Sequence, residues 1–437
     1  MINANRSKKI FLLFIMLLLG FILFLSVMFF NALKHRKIPS LYTSDSTKAQ
    51  RGSIISADGF EIATTQKLYK AMVNTRNIDP KKRELFIELF SIYSGMDQKS
   101  IRKRLKGANG TVVLSYQIGP KTAQYLKTLA YELLQYKVFV EYESKSGERI
   151  FQGLSILESG ETREYPYGKL LTPLIGYPHK VEDEGYTRVH GVKGIEKQFD
   201  FQLNAQQNGE QIAPRDVNNY MIFNKKSFTK VPIPGYDIKL NIPVTLQIRI
   251  ERILDEMQKK LKAKEIMAVV MEARSGKIMA LASSNRFYPK AIRRSDYPSL
   301  NTNAIEYSFE PGSVVKPLTF ALLLDHKKIN RFELVNGHNG RFKIHNKTIT
   351  DEHKMDWMGA EDVIIHSSNI GIAQLAQKLS GIDLYDGYQK FGLTRKSGVD
   401  LPYERSGTMP TTHQFNHEFW KATTSYGYGV QVNLMQL

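Results

Sequence analysis

An α+β fold is predicted from the order of the apolar patterns along the chain. Near its middle, Asp237 to Ile242 alternates apolar and polar residues like a strand. Pro243 then opens a helix in which apolar residues recur every three or four positions, namely Leu246, Ile250, Ile253, Met257 and Leu261. Two more strand-like runs, Ile266 to Ala273 and Lys277 to Ala282, are joined by a short Arg-Ser-Gly turn. This order suits helices packed on an antiparallel sheet.

The part of the chain before Pro232 has a different sequence pattern. Short strand-like runs around Tyr69, Leu114, Val138 and Val140 alternate with lysine-rich helical stretches. No cluster of catalytic side chains accompanies them. We therefore predict a separate, non-catalytic α+β pedestal domain.

Ile10 to Phe30 is an apolar run of 21 residues, interrupted by Gly20 and Ser26. At about 1.5 Å per residue it spans a hydrocarbon core of roughly 30 Å, so it is predicted to be an uncleaved transmembrane anchor. A cleaved signal peptide would have a shorter apolar region and a small-x-small site. Basic residues flank both ends, and the short N-terminal tail favours an N-terminus in the cytoplasm.

These patterns divide the chain into four segments. Residues 1–9 form a cytoplasmic tail, 10–30 the anchor, 31–232 the pedestal, and 233–437 the domain that carries the chemistry. The bulk of the chain then lies outside the cytoplasm.

Composition excludes several function classes. The chain has no cysteine, which removes thiolate chemistry, and its net charge of +19 is spread along the sequence without a nucleic-acid motif. The charge permits attraction to anionic lipid or to carboxylate-bearing polymer. No cofactor-binding glycine motif is present, and Asp351 with Glu352 is interpreted as a turn. No metal site is predicted, because the spacing of four histidines lacks helical zinc-site geometry: His338, His345, His353 and His366.

Ser313 and Lys316 form the principal candidate site. They lie three residues apart at the predicted start of an apolar helix, so the lysine amine can reach the serine oxygen and act as its base. The apolar residues that follow, Leu318 to Leu324, favour burial, which lowers a lysine pKa. Two other Ser-x-x-Lys pairs lie among charged residues and are interpreted as solvated surface: Ser100 with Lys103, and Ser227 with Lys230.

A second element, Ser367-Ser368-Asn369, precedes another apolar run. A serine hydroxyl and an asparagine amide beside a Ser and Lys pair can relay a proton to a leaving amine and hydrogen-bond a peptide substrate. We predict these roles for Ser367 and Asn369. A similar triplet, Ser283-Ser284-Asn285, follows a predicted strand and is interpreted as a loop.

Together these motifs resemble those of the penicillin-binding protein transpeptidases, and further passages are similar to the high-molecular-weight class B branch. The resemblance covers about residues 10 to 437 and includes Arg51-Gly52-Ser53-Ile54-Ile55, Arg163-Glu164-Tyr165-Pro166-Tyr167-Gly168, Gly191 to Asp200, Phe391 to Pro402, and Ser425-Tyr426-Gly427-Tyr428-Gly429. It implies a dimerisation-type pedestal below a helix-backed transpeptidase sheet.

The family's third catalytic motif, Lys-Thr-Gly or Lys-Ser-Gly on an edge strand, is expected beyond the Tyr-Gly-Tyr-Gly passage. Two Lys-Ser-Gly triplets occur elsewhere, at Lys145-Ser146-Gly147 and Lys396-Ser397-Gly398, and the second resembles a family loop. The chain is therefore interpreted as a C-terminally incomplete transpeptidase. Losing an oxyanion donor from that strand costs on the order of 10² to 10³ in rate, so this chain is expected to be nearly inert.

The resemblance implies cross-linking of peptidoglycan stem peptides at D-Ala-D-Ala, inhibition by β-lactams, and anchorage in the inner membrane of a bacterium. It also implies a polytopic glycosyltransferase and divisome proteins as partners. No cofactor is implied. The linker and pedestal most resemble the division-specific type. An elongation-type transpeptidase, a non-catalytic scaffold, and a serine β-lactamase or β-lactam sensor remain alternatives.

Overall fold

The computed structural model describes residues 2–33, 41–143, 149–183, 185–216 and 220–437. The chain divides into two compact units. The first comprises Met1–Lys48 with Asn208–Pro232, and the second comprises Ala49–Gln207 with Ile233–Leu437. Helices and sheets alternate in the second unit, which confirms the predicted α+β class.

The α-helices, numbered in chain order, are α1 (Ile2–Leu33), α2 (Arg83–Ser94), α3 (Gln98–Leu105), α4 (Pro120–Gln135), α5 (Gly194–Gln198), α6 (Asp200–Leu203), α7 (Val244–Leu261), α8 (Asn303–Glu306), α9 (Lys316–Asp325), α10 (Ala360–Ile365), α11 (Asn369–Ala376), α12 (Gly381–Lys390) and α13 (Glu418–Ser425).

The strands are β1 (Tyr42–Thr47), β2 (Ile54–Ile55), β3 (Glu61–Asn74), β4 (Thr111–Ile118), β5 (Tyr142–Glu143), β6 (Arg149–Ile150), β7 (Leu154–Glu164), β8 (Pro178–Asp183), β9 (Tyr186–Gly191), β10 (Gly209–Pro214), β11 (Phe228–Lys230), β12 (Ile238–Lys239), β13 (Met267–Met271), β14 (Ile278–Ser283), β15 (Leu334–Asn336), β16 (Arg341–Ile344), β17 (Lys347–Thr350) and β18 (Trp357–Gly359).

The first unit contains helix α1 and a three-stranded sheet in the order β1-β10-β11. Helix α1 extends the predicted apolar run at both ends, and its Arg6–Ala32 stretch is long and apolar enough to cross a membrane. The apolar side chains of this stretch are exposed in the isolated chain. That pattern is expected of a helix whose solvent is lipid, since no protein core covers it.

The pedestal in the second unit is built on a seven-stranded sheet in the order β12-β2-β3-β7-β9-β8, with β4 also paired to β3. Helices α2, α3 and α4 cover one part of it and enclose a core that includes Phe86, Phe90, Leu114, Leu126 and Leu133. Burial of these large apolar side chains stabilises the domain, at roughly 1.5–3 kcal/mol for each one fully removed from water.

The predicted strand from Asp237 to Ile242 is shorter than its alternating pattern indicates. Only Ile238 and Lys239 form a strand, β12, which pairs in parallel with Ile54 and Ile55 of the pedestal. The segment therefore completes the pedestal sheet, although it follows the boundary predicted from sequence.

Helix α7 begins directly after Pro243, as predicted, and packs on the β13–β14 hairpin through a face that mixes apolar and polar side chains. Leu246, Ile250 and Met257 are half-buried, whereas Ile253 and Leu261 are 57% and 61% exposed. Gln247 and Glu251 are buried. The amide of Gln247 donates to the Leu281 carbonyl and to the Glu251 carboxylate, both at 2.9 Å. Because these bonds satisfy the polar groups, a polar stripe can occupy the buried face. The periodicity of the apolar residues predicted the helix, whereas the buried polar pair was not predicted.

Helices α9, α10, α11 and α12 enclose the second large core, which includes Leu323, Val363, Leu375, Leu384 and Tyr388. The Tyr388 hydroxyl lies 2.6 Å from the Thr319 hydroxyl of α9, and the Thr319 hydroxyl donates to the Ser425 carbonyl at 3.1 Å. Burial raises the pKa of Tyr388, so the phenol stays neutral in this core. These contacts fix α9 between α12 and the end of α13.

Candidate active site

Ser313 lies on a single 3-10 turn, Gly312–Val315, that leads directly into α9. The Lys316 N–H donates to the Ser313 carbonyl, and Pro317 occupies the first turn of the helix, where its missing N–H leaves no helical bond unmade. The Ser313 side chain is exposed, and its hydroxyl has no hydrogen-bond partner among the residues that the structure describes. An exposed, unbonded hydroxyl at a helix start is accessible to an incoming carbonyl group.

The Ser425–Gly429 segment holds the peptide before Ser313. The Gly312 N–H donates to the Gly427 carbonyl at 3.2 Å. Gly427 has a φ of +89°, and a Cβ at this position would lie 2.0 Å from the Gly312 carbonyl oxygen. Only glycine fits such a close backbone approach. The Tyr-Gly-Tyr-Gly passage identified in the sequence thus supports the turn that presents the serine.

Lys316 is almost fully buried, with 2% of its surface exposed, and its amine points to the Ser-Ser-Asn loop. Its Nζ donates to the Ser367 hydroxyl at 2.9 Å and also contacts the Ser367 carbonyl oxygen. Burial lowers the pKa of Lys316 to about 8, while the charge of Asp351 acts in the opposite direction. The structure brings Lys316 and Ser367 together, and the hydrogen bonds of this amine go to Ser367 and not to Ser313.

Ser367 and Asn369 lie at the start of α11, where the chain changes direction. Ser367 has a φ of +52°, a left-handed conformation that costs energy for a residue other than glycine. Ser368 caps the helix, accepting the Gly371 N–H at 2.8 Å. The half-buried Asn369 amide donates to the Thr350 carbonyl at 3.1 Å. The loop is therefore rigidly held and directs Ser367 towards Lys316.

Asp351 is the residue whose part in the site the sequence analysis missed. It was interpreted as part of a turn, and it lies immediately after β17. Its carboxylate accepts the Ser368 hydroxyl and the backbone N–H groups of Asn369 and Ile370, at 2.6 and 3.0 Å for the two N–H groups. A carboxylate at a helix N-terminus is stabilised by the helix dipole. The sequence contained no signal beyond an acidic residue at the end of a strand.

The other candidate triplets lie elsewhere. Lys396-Ser397-Gly398 adopts an irregular loop whose Ser397 and Gly398 N–H groups donate to Glu404 at 2.6 and 3.2 Å. Part of this loop lines a cavity of about 470 Å³ that it shares with pedestal residues and with the β13–β14 turn, and Ser313 does not line it. Lys145-Ser146-Gly147 falls outside the described residues. Ser100 and Ser227 belong to exposed surface segments, as predicted from their charged neighbours.

The pedestal motifs converge on one buried ion-pair network. The Glu196 carboxylate binds Arg51 at 2.8 Å and Arg163 at 2.6 Å, and all three side chains are at most 2% exposed. Arg51 also binds Asp200 at 2.7 Å, and Arg163 donates to the Gly52 carbonyl at 2.6 Å. Three passages far apart in sequence thus meet inside the pedestal, where each charge has a partner.

The site combines a serine on an exposed turn, a buried lysine three residues later and a Ser-x-Asn loop that accepts the hydrogen bonds of that lysine. This combination is the one expected of the penicillin-recognising class of serine transpeptidases. The penicillin binding protein transpeptidase domain matches residues 266–437, and the penicillin-binding protein dimerisation domain matches residues 46–240. The chain belongs to the class B penicillin-binding protein transpeptidases, which carry both domains.

Curated relatives agree with this family. Peptidoglycan D,D-transpeptidase FtsI of Escherichia coli K12 is 27% identical over 342 residues, covering 78% of this chain and 52% of the relative. FtsI of Buchnera aphidicola subsp. Baizongia pistaciae is 27% identical over 449 residues, covering 100% of this chain and 72% of the relative. The chain thus spans about half the length of the E. coli relative.

Solved structures agree on the fold. Penicillin Binding Protein 2X from Streptococcus thermophilus superposes with a TM-score of 0.71 at 19% identity, covering 90% of this chain and 58% of that one. The penicillin-binding protein PBP2 of Helicobacter pylori, solved in a complex with MreC, superposes with a TM-score of 0.69 at 18% identity, covering 91% and 76%.

Proposed function

We propose that this chain supplies the nucleophile, base and proton relay of a membrane-anchored serine D,D-transpeptidase that cross-links peptidoglycan stem peptides and is acylated by β-lactams. The observation that carries the proposal is the buried amine of Lys316, a residue three positions after Ser313, which donates a hydrogen bond to the Ser367 hydroxyl at 2.9 Å. A desolvated amine with a lowered pKa is a suitable base for a serine hydroxyl.

In the proposed acylation step, neutral Lys316 accepts the Ser313 proton while the serine oxygen attacks the carbonyl between two D-Ala residues. Backbone N–H groups near the start of the serine turn stabilise the tetrahedral anion. The amine leaves with a proton relayed from Lys316 through Ser367, which its hydrogen bond to Lys316 permits. The amine of a second stem peptide then attacks the acyl-enzyme, forms the cross-link and releases Ser313. Asn369 orients the peptide amides.

Penicillin labelling tests the proposal. The family's third motif, Lys-[Ser/Thr]-Gly on a strand, is not formed by the residues that the structure describes, so we expect the 437-residue chain to label weakly with fluorescent penicillin. An extended chain, in which Leu437 is followed by the segment of a class B relative that carries this motif, is expected to label strongly at Ser313. If peptide mapping finds the penicillin adduct on a peptide that does not contain Ser313, the assignment of Ser313 as the nucleophile is wrong.

The rate of acylation is expected to rise with pH. Because the base must be neutral and its pKa is about 8, only about a tenth of Lys316 is competent at pH 7. The second-order rate constant for penicillin acylation of the extended chain should therefore increase almost tenfold per pH unit below pH 7 and level off above pH 8. Stopped-flow measurement between pH 6 and 9 provides the check. A flat profile would exclude Lys316 as the rate-determining base.

Asp351→Asn is expected to shift the midpoint of the pH profile of acylation to a lower pH. Asp351 raises the pKa of Lys316, so removing its charge leaves the lowering effect of burial unopposed. Asparagine keeps one oxygen to accept the Asn369 and Ile370 N–H groups, so α11 should stay in place. The midpoint of the acylation profile is the measurement. Glu352→Gln, which neutralises the adjacent carboxylate, serves as the control and should leave the midpoint unchanged.

A division-specific role is supported by the similarity of the chain to FtsI proteins. The PBP2 structure shares only the fold at 18% identity, so it does not favour an elongation role. Septal localisation of a tagged full-length protein would support the division role, and side-wall localisation would support the elongation-type alternative. Helix α1 anchors the protein in the bacterial inner membrane in this proposal, with the N-terminus in the cytoplasm.

A non-catalytic scaffold is the rival function for the 437-residue chain. In that alternative, the anchor and pedestal recruit a polytopic glycosyltransferase and divisome proteins without any acylation. Absence of labelling in the extended chain, together with capture of such a partner by the unlabelled protein, would favour the scaffold over the enzyme.

A further inference from the structure

The first unit presents a cluster of exposed aromatic and basic side chains that the proposed catalysis does not use. It lies before strand β11 and includes the first residue of that strand, and we name it the aromatic loop. Its members are Tyr220, Ile222, Phe223, Lys225, Lys226 and Phe228. Tyr220 and Phe223 are 72% and 62% exposed. Large apolar side chains clustered at a protein surface mark an interaction site more often than scattered ones do.

The loop tip has a defined conformation that presents both lysines. The Asn224 side-chain oxygen accepts the Lys226 N–H at 2.8 Å, and the Ser227 N–H donates to the Asn224 carbonyl at 2.9 Å. Lys225 and Lys226 therefore occupy the apex of a turn. Phe223 and Phe228 flank this turn. The result is an apolar surface with two positive charges at its tip.

Strand pairing places the aromatic loop at one end of the β1-β10-β11 sheet. At this end strand β1 begins, and the chain that precedes β1 leads back to helix α1. Strand β1 is antiparallel to β10, with Tyr42 opposite Pro214, and the Arg215 N–H donates to the Leu41 carbonyl at 3.0 Å. Met221, within the aromatic loop, forms an isolated antiparallel bridge with Arg215. Seven residues of chain lie between Leu33, the last residue of α1, and Leu41. The eight Cα–Cα steps that join the two residues can span at most about 29 Å. The loop is thus tethered close to the end of the membrane helix.

We propose that the aromatic loop binds the surface of the bilayer that α1 spans, with its aromatic side chains at the headgroup level and its lysines on anionic lipid phosphates. Aromatic side chains are enriched at this level of membranes, and a lysine near an anionic surface contributes about five-fold to binding. Lipid is the occupant favoured here because charge and apolar area coincide with the tether. The inference rests on the proposed anchoring of α1.

The absence of cysteine permits a direct test, since one introduced cysteine can be labelled uniquely. The full chain with Phe223→Cys is labelled with an environment-sensitive fluorophore and reconstituted in nanodiscs that contain phosphatidylglycerol and doxyl-labelled lipid. The control is Ser46→Cys, an exposed residue near the other end of β1 in the same sheet. We expect strong quenching at position 223 and little at position 46.

The charge contribution is tested by adding Lys225→Gln and Lys226→Gln to the Phe223→Cys chain. The ratio of lipid-bound to free loop should fall about 30-fold, and replacing phosphatidylglycerol with phosphatidylcholine should weaken binding similarly. Equal quenching at positions 223 and 46, or none at 223, would overturn the proposal. The proposal would also be overturned if the fluorophore at position 223 became shielded from water only when a second membrane protein is present. A chain that fails to enter nanodiscs would instead contradict the anchoring role of α1.

Discussion

Replacing Ser313 by alanine is expected to abolish covalent labelling of the extended chain by fluorescent penicillin. In the proposed acylation step the Ser313 oxygen is the nucleophile that bonds to the carbonyl carbon. Removal of a serine nucleophile from a related type of catalytic assembly costs up to about 10⁶ in rate. Lys316→Ala should reduce the acylation rate by several orders of magnitude, because the two residues act as a unit. Gel fluorescence and stopped-flow acylation measure the two effects.

Ser100→Ala provides the matched control for this prediction. Ser100 also precedes a lysine by three residues, but it lies on the exposed surface of α3 and accompanies no Ser-x-Asn loop. Its loss should leave labelling unchanged. Retention of labelling in Ser313→Ala, with the adduct mapped to another serine, would show that the buried lysine serves a different nucleophile. Circular dichroism of each variant distinguishes lost chemistry from lost folding.

Replacing Glu196 by alanine is expected to destabilise the pedestal more than any surface substitution. Glu196 is the shared partner of Arg51 and Arg163, and all three are buried. Without the Glu196 carboxylate, two buried guanidinium groups lose the negative charge that they share. Breaking a buried ion pair costs about 3–5 kcal/mol, which corresponds to a decrease of about 10 °C in the unfolding midpoint of a domain of this size. Thermal unfolding of the detergent-solubilised chain is the measurement.

The comparison is with Glu84→Ala. Glu84 also pairs with an arginine, Arg102, at 2.7 Å, but both side chains are largely exposed. Solvent screens such a pair, so its loss should change the midpoint little. If the two variants unfold at the same temperature, the buried network is not a stabilising element, and the convergence of the three pedestal motifs would need another explanation.

Local sequence patterns were sufficient to predict several features of the protein. The apolar run of α1, the α+β class and the family were predicted correctly, because each depends on composition or on short motifs. The roles proposed for Ser313, Lys316, Ser367 and Asn369 remain predictions that labelling can test. The structure adds that the lysine amine bonds Ser367, a contact between residues 51 positions apart in the chain.

Other features depend on long-range contacts. The polar groups buried on α7 were not predicted, because apolar spacing cannot reveal that the Leu281 backbone supplies hydrogen-bonding partners to Gln247. The same limitation applies to β12, whose pairing partner lies about 180 residues earlier in the chain. It applies also to Asp351, which gains its role from an adjacent helix N-terminus. Periodicity records which residues are apolar, whereas packing decides which face has a neighbour.

The amino-acid pattern alone therefore establishes the apolar N-terminal helix, the α+β organisation and the two motifs that place a serine, a lysine and a Ser-x-Asn loop in one family. Tertiary structure decides the environment of those groups: the burial that lowers the Lys316 pKa to about 8, the opposing charge of Asp351, and the single carboxylate that joins Arg51 to Arg163. The reason is physical. Desolvation and charge pairing depend on distances between residues far apart in sequence, and only the folded chain sets those distances.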